Sequence, residues 1–137
     1  MKRTIAAVIL FSALVFCSCK KFVQQQEQNA LVSIITNGTW YVQKYVQDTT
    51  DISSSFSAYT FQFRSDGTVT GTNGTVSING TWSGDLTSKT ITSNFPAGSD
   101  ILNDLDGVWK ITDSSLTYVV ANTTVNSTTN SLRLQKK

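Results

Sequence analysis

Apolar and polar residues alternate with a period of two over most of the chain after residue 38. In the clearest case, Tyr59, Phe61 and Phe63 are separated by single polar residues. Such alternation is typical of β-strands that bury one face. The sequence predicts eight strands, at 39–47, 59–64, 68–72, 75–83, 89–95, 108–113, 116–121 and 131–135.

Turn signals separate several of these strands. Asp66-Gly67 and Asn73-Gly74 each follow an alternating segment, and both dipeptides favour tight hairpin turns. A second Asn-Gly, at Gly80, leaves the parity of the apolar residues unchanged, so we predict one strand with a bulge or bend at Gly80, and a turn there is the alternative. Apolar residues at helical spacing predict a short helix in 29–35, and 99–105 suits another.

These elements predict an all-β fold. Eight short antiparallel strands leave two exposed sheet edges unless the sheet closes on itself. Because tight hairpins dominate the connections, we predict an eight-stranded antiparallel up-and-down barrel with a short N-terminal helix, and a β-sandwich is the alternative. The interior of such a barrel is filled by side chains or holds one small ligand.

The start of the chain has the pattern of an export signal. Lys2 and Arg3 precede an apolar run at 5–16, which has signal-peptide length and is too short to span a bilayer comfortably. Residues 14–21 read Leu-Val-Phe-Cys-Ser-Cys-Lys-Lys and resemble the lipobox of bacterial lipoproteins. In that motif a small residue precedes a cysteine that becomes acylated, which makes Cys19 the expected lipidation site.

This interpretation divides the chain into three parts. We expect a lipoprotein signal peptide at 1–18, a tether at 19–28 and one domain at 29–137. Acylated Cys19 would anchor the domain in a lipid bilayer. Lys20-Lys21 lacks the aspartate that commonly signals retention in the inner membrane, and it lacks the acidic run associated with surface display. We therefore expect the outer membrane facing the periplasm, with surface exposure as an alternative. An ordinary secretory signal cut nearby is the competing interpretation.

The composition narrows the chemistry. The formal net charge of +2 falls to zero when Lys2 and Arg3 leave with the signal, so no basic surface favours nucleic acid. The chain has no His, and both cysteines, Cys17 and Cys19, lie at the edge of the signal. The folded part therefore has no imidazole, thiol or disulfide. Because Glu27 in the tether is the sole Glu, a glycosidase pair of carboxylates is also improbable.

Three aspartates cluster in one predicted loop, at Asp100, Asp104 and Asp106. Their spacing matches no calcium loop, and turn or capping roles account for them. We therefore predict a protein that is not an enzyme and has no metal or cofactor.

The strand starts resemble a known family. Gly38-Thr39-Trp40 opens the first strand after a helical segment, as the Gly-x-Trp signature does in lipocalins. The domain as a whole resembles the small lipocalin-like lipoproteins of bacterial envelopes. The residues that carry this resemblance are Gly38-Thr39-Trp40, the aromatic strand from Tyr59 into Asp66-Gly67, Gly80-Thr81-Trp82, Val108-Trp109-Lys110-Ile111 and the final Leu132-Arg133-Leu134-Gln135-Lys136-Lys137.

The resemblance implies a structural pair. In lipocalins a late Arg packs over the signature Trp, and Arg133 is the matching residue for Trp40. That cation–π contact would close the end of the barrel. The family's Thr-Asp-Tyr element is absent, since Thr112-Asp113-Ser114 lacks the aromatic residue, and the chain is shorter than ligand-carrying members.

Strand parity predicts a set of inward aromatic side chains. They form either the lining of a ligand cavity or simply the core of a small barrel. The candidates are Tyr59, Phe61, Phe63, Trp82, Trp109 and Tyr118. Tyr41 and Tyr45 fall on the other face of the first strand, where they either form an exposed partner surface or pack beneath the 48–58 loop.

Two function hypotheses follow. The first is a monomeric envelope lipoprotein whose barrel binds a small hydrophobic molecule or a glycan fragment. The second is a filled-core interaction or inhibitor module that acts on another envelope protein through its loops. Segments 49–57 and 122–130, rich in Thr, Ser and Asn, are predicted to be solvated loops. The volume of the barrel interior distinguishes the two hypotheses.

Overall fold

Strands dominate the part of the chain that the structure describes. The computed structural model describes residues 26, 28–97 and 100–137. The expected signal peptide, Cys19 and most of the expected tether lie outside these residues. The described strands are β1 (Trp40–Gln47), β2 (Thr50–Asp51), β3 (Tyr59–Phe63), β4 (Thr68–Asn73), β5 (Val76–Asp85), β6 (Thr90–Asn94), β7 (Gly107–Ser114), β8 (Tyr118–Val125) and β9 (Thr128–Lys136).

The strands form a closed antiparallel barrel. Each of β3 to β8 pairs with the next strand along the chain, and β1 pairs with both β3 and β9. The two-residue β2 pairs only with the end of β1, so eight strands make the barrel and β2 is an addition. The predicted up-and-down barrel is confirmed, and closure leaves the eight strands with few unpaired edges.

Three helical segments among the described residues accompany the barrel. Helix α1 covers 28–36, a 3₁₀ helix covers Ser53–Phe56, and α2 covers Asp100–Asn103. Helix α1 precedes β1 and packs across one end of the barrel, called here the closed end. The opposite end, called the open end, carries the β1–β3, β4–β5, β6–β7 and β8–β9 connections. No helix among the described residues is both long enough and apolar enough to cross a membrane.

A bulge in β1 changes which of its residues face inward. Trp40 and Val42 are buried, the register with β9 shifts between Val42 and Lys44, and Tyr45 is the next buried residue. The bulge therefore turns Lys44 outward, whereas strict alternation would have placed it among the core residues. It also makes Tyr45 fully buried, with 0% of its surface exposed. Tyr45 is therefore not an exposed ring, and of the two alternatives it packs against the 48–58 segment, through Phe56.

Gly80 lies inside a regular strand rather than at a bulge. The pairing of β5 with β4 runs without a shift from Val76 to Thr81. A Cβ atom at Gly80 would stand 2.5 Å from the carbonyl oxygen of Asn94 and 2.8 Å from Phe95 Cδ1. The glycine is required because Phe95 packs directly on the backbone of the strand.

The segment 122–130 is not a loop. Asn122 to Val125 extend β8 and Thr128 to Asn130 begin β9, with a two-residue turn at Asn126 and Ser127. Both turn residues have positive φ, at 49° and 68°, as a tight hairpin turn with right-handed strand twist requires.

Candidate functional site

The interior of the barrel is filled. A void of about 40 Å³ remains among the core side chains, which is enough for a water molecule or two and far below the 300–1,000 Å³ of typical ligand pockets. The lining is apolar except for Ser93, whose hydroxyl donates to the carbonyl oxygen of Leu105 at 2.5 Å. The void is lined by Phe61, Phe63, Ile91, Ser93, Phe95, Leu105, Trp109, Val119, Ala121, Leu132 and Leu134.

Five of the six aromatic candidates are part of the core. Phe61, Phe63 and Trp109 line the void, while Tyr59 and Trp82 are buried beside it. The rings pack on one another: Phe63 meets Trp82 edge-on with centroids 5.4 Å apart, and Tyr59 stacks on Phe61 at 6.2 Å. These contacts are those of a packed core.

The sixth candidate, Tyr118, lies on the outer face of the barrel. Val119 and Ala121 are the buried residues of β8, so the parity predicted for this strand was shifted by one residue. The guanidinium carbon of Arg133 lies 4.1 Å from the centre of the Tyr118 ring, and the Tyr118 hydroxyl donates to Asp113 at 3.0 Å. That hydrogen bond raises the pKa of Tyr118, with the charge of Asp113 as a second cause.

The predicted pair of Arg133 and Trp40 does not form. Leu132 and Leu134 face the core, so Arg133 between them must face outward. Lys136 takes the expected place, with its ammonium 5.2 Å from the centre of the Trp40 ring. Closure of the barrel by a cation over Trp40 is therefore present, but the cation is Lys136.

Tyr45 forms the boundary between the core and the open end. Its ring stacks on Phe56 at 5.3 Å and meets Trp109 edge-on at 5.8 Å. Its hydroxyl donates to the carbonyl oxygen of Asp104 at 2.9 Å. The pKa of Tyr45 is raised to about 12, mainly by burial and secondly by the negative charge of Asp104, while the Asn130 side chain acts in the opposite direction.

Above Tyr45 the open end contains a polar cleft, called here the open-end cleft. Its volume is about 360 Å³, within the range of pockets that bind small ligands or side chains. The end of β1, the segment after α2 and the β8–β9 hairpin form its walls. It is lined by Tyr45, Gln47, Asn103, Asp104, Asp106, Thr123, Val125, Asn126, Thr128 and Asn130.

Asn130 is the unusual member of this lining. It faces inward at the start of β9, only 8% of its surface is exposed, and its Oδ1 has no hydrogen-bond partner. Among the described residues, it is the buried side-chain acceptor left without a donor. A buried polar atom without a partner costs free energy, so such atoms are rare and need an explanation.

The wall of the cleft that contains the aspartates is held firmly. Asp106 Oδ1 accepts from the backbone N–H of Phe95 at 2.7 Å, and the carbonyl of Leu105 accepts from the Trp109 indole at 2.9 Å. Leu102 and Leu105 beneath it are buried. The cleft is therefore a preformed surface feature.

Sequence reasoning did not find this cleft. Asn130 lies in a run of Thr, Ser and Asn that resembles solvated loop sequence, and nothing local distinguishes it from its neighbours. A second polar concavity among the described residues, of about 340 Å³ on the outer face of β3 to β5, is lined by threonines, Gln62, Ser77 and Arg64. The Arg64 guanidinium donates to the Thr70 hydroxyl at 2.7 Å. Within the described residues, no three His, Cys, Asp or Glu side chains come together as metal ligands do.

Comparisons with known proteins define the class of fold. No protein-family model matches the chain, and no curated protein matches it. Among solved structures, the chain is similar to a DUF4847 family protein from Bacteroides vulgatus ATCC 8482, whose crystal structure has 1.00 Å resolution. The TM-score is 0.56 at 16% sequence identity, over 78% of this chain and 97% of that chain. At this identity the likeness shows the barrel fold alone.

Proposed function

We propose that the protein is a non-enzymatic interaction module of the bacterial envelope, anchored by acylated Cys19, which binds another envelope protein through the open end of its barrel. The lipobox-like residues before Cys19 and the likeness to lipocalin-like lipoproteins support the location. In this proposal the barrel is a rigid platform, and the outer membrane facing the periplasm is the expected site of action.

The filled interior carries the proposal. A barrel that carries a small hydrophobic molecule needs a cavity of several hundred Å³, whereas this interior leaves about 40 Å³. Opening such a space would require removal of at least one buried ring, at a cost of several kcal/mol. Binding at the surface needs no such change.

The open end is the surface best suited to a partner. It combines the open-end cleft with the exposed side chain of Val125, which is 52% exposed at the rim. Protein interfaces combine apolar contact residues with hydrogen-bonding groups, and both are present here. At the closed end, α1 covers the barrel with Leu31 and Ile35 buried beneath it.

A glycan fragment is the second candidate for this surface. The size and the polar lining of the open-end cleft favour it, because hydroxyl groups of a sugar can both donate to and accept from Asn, Gln and Asp side chains. Under this alternative the protein still binds at the open end, but its target is a carbohydrate.

Site-specific photo-crosslinking in intact cells tests the proposal. A photo-reactive phenylalanine analogue is placed at Val125, on the open end, and as a control at Leu116, which is 69% exposed in the β7–β8 hairpin at the closed end. We expect a discrete protein adduct from position 125 and none from position 116. Equal labelling at both positions, or no adduct at 125, would contradict a partner at the open end.

Cell fractionation tests the anchor separately. Cys19→Ala removes the expected acylation site, so the protein should move from the membrane fraction to the soluble fraction. Cys17→Ala is the matched control and should leave the protein with the membrane. Membrane association that persists in Cys19→Ala would exclude this anchor.

A further inference from the structure

We infer that the open-end cleft binds a primary ammonium group, and that this group is a lysine side chain of the protein partner. The inference rests on the proposed function and adds the chemistry of recognition. It follows from two independent features of the cleft, its charge and the unpartnered oxygen of Asn130.

The first feature is the charge of the lining. Asp104 and Asp106 both line the open-end cleft, and the described residues that line it include no Lys or Arg. The effect of this charge reaches the floor of the cleft, where Asp104 contributes to the raised pKa of Tyr45. A negative concave surface attracts cations and disfavours carboxylates and phosphates.

The second feature is the unpartnered oxygen of Asn130. Asn130 lines the cleft beside Tyr45, whose hydroxyl proton is donated to the carbonyl of Asp104. The Tyr45 hydroxyl therefore has no second proton to donate to Asn130. The carbonyl Oδ1 of Asn130 is left as a buried acceptor without a donor.

An ammonium group satisfies both features at once. It carries a positive charge and three donors, and it accepts no hydrogen bond. One N–H can supply the missing donor for Asn130, while the charge is balanced by the aspartates of the same cleft. A lysine places this group at the end of a flexible apolar stem, which can reach past the rim at Val125 into a polar cleft.

NMR titration of the full chain in detergent micelles tests the inference. The probe is Nα-acetyl-lysine methylamide, and its matched control is the same molecule acetylated at Nε, which has lost the charge. We expect the lysine probe to shift the side-chain amide signal of Asn130 and the backbone signals of Thr123 and Thr128. The control should bind at least about tenfold more weakly, the factor expected for loss of one charged hydrogen bond. Equal shifts with both probes, or no shifts at Asn130, would overturn the inference.

Two variants of Asn130 sharpen the test. Asn130→Leu removes the acceptor and should abolish the response to the lysine probe, whereas Asn73→Leu, at an exposed position of the β4–β5 hairpin, should leave it unchanged. Asn130→Asp keeps the shape of the side chain and adds a negative charge, so it should bind the lysine probe several-fold more tightly. Unchanged affinity in Asn130→Asp would contradict a role for this side chain, even if Asn130→Leu does not fold.

Further arms separate the possible outcomes. Glucosamine tests whether the ammonium group comes from a free small molecule, and binding tighter than that of the lysine probe would overturn the assignment to lysine. If the lysine probe fails while the crosslink from position 125 persists, the ammonium inference is wrong and the proposed function stands. If the lysine probe does not bind and position 125 gives no crosslink, both the ammonium inference and the proposed function are wrong.

Discussion

The two ends of the barrel satisfy their polar groups in different ways. At the closed end, the last carbonyls of α1 lack partners within the helix, as at any helix terminus. The Trp40 indole donates to the carbonyl of Ile35 at 2.8 Å, and the Lys136 ammonium approaches that of Ile34 at 3.5 Å. Lys136 also places a positive charge at the negative end of the helix dipole.

Helix α1 is tied to the barrel at its other end as well. The side chain of Gln28, within the segment expected to be a tether, donates to the carbonyl of Gly84 at 2.6 Å and accepts from the backbone N–H of Leu86 at 3.1 Å. Leu31 and Ile35 fill the space between these contacts.

Within the described part of the chain, no helix comparable to α1 covers the open end. Its helical segments are the four-residue α2 and a 3₁₀ helix of the same length, and its cleft contains a buried oxygen without a partner. Departures from full hydrogen bonding concentrate where a molecule binds something else. We therefore expect the closed end to contribute more to the stability of the fold, and we propose the open end as the functional surface.

The largest effect is expected from Trp40 at the closed end. Trp40→Ala removes a fully buried ring, the donor to Ile35 and the surface on which Lys136 rests. We expect the free energy of unfolding to fall by about 3–5 kcal/mol, measured by urea denaturation. Leu116→Ala, an exposed residue at the same end, is the control and should change it by less than about 0.5 kcal/mol. A loss below about 1 kcal/mol for Trp40→Ala would show that the closed end does not stabilise the barrel.

Gly80 tests how firmly Phe95 holds the open-end segment against the barrel. Gly80→Ala places a methyl group against Asn94 and Phe95, so the strand or the ring must shift. The expected loss of stability is about 1–3 kcal/mol by the same measurement. Gly84→Ala is the matched control, because there the nearest atom is the flexible end of Leu31 at 3.1 Å. Equal losses of stability in both variants would mean that Phe95 moves away from the added methyl group as easily as Leu31 does.

Tyr45 makes a pH-dependent contribution to stability at the open end. Tyr45→Phe removes the hydrogen bond to Asp104, which should cost about 1 kcal/mol at neutral pH. The folded-state pKa is raised from 10.0 to about 12. The stability that depends on the protonated hydroxyl is therefore complete below pH 10 and is lost as the pH rises toward 12. The difference between wild type and Tyr45→Phe should shrink over this range in unfolding experiments, and a constant difference would show that the hydroxyl titrates normally.

These sites show how far the sequence predicts the molecule. Alternation identified the eight barrel strands because a half-buried strand must alternate. It failed at β1 because a bulge reverses parity without a local sequence signal, which placed Tyr45 on the wrong face. Arg133 was assigned to Trp40 by family likeness although its inward neighbours Leu132 and Leu134 require it to face outward. The burial of Asn130 and the missing partner of its Oδ1 could not be predicted from the local sequence, because they depend on neighbours that are distant in the chain.

Lys136 offers a smaller test of the closed end. Lys136→Met keeps an apolar stem but removes the charge over Trp40 and near the carbonyl of Ile34. The midpoint of thermal unfolding should fall by an amount that corresponds to about 0.5–1 kcal/mol. Lys137→Met, an exposed neighbour, should leave the midpoint unchanged. If the two variants behave alike, the position of the cation over the ring contributes nothing.

The smallest change in stability, and the one with the opposite sign, is expected from Asn130. Asn130→Leu replaces an unpartnered buried oxygen with an apolar side chain of similar size, so the protein should be unchanged or more stable by up to about 1 kcal/mol. Natural proteins retain such costly groups where function needs them. Asn130→Leu is examined both by chemical denaturation and by titration with the lysine probe. We expect its stability to be kept and its binding of the probe to be lost. A loss of stability greater than about 1 kcal/mol would instead assign Asn130 to the structure of the open end, and the contrast between the two ends would disappear.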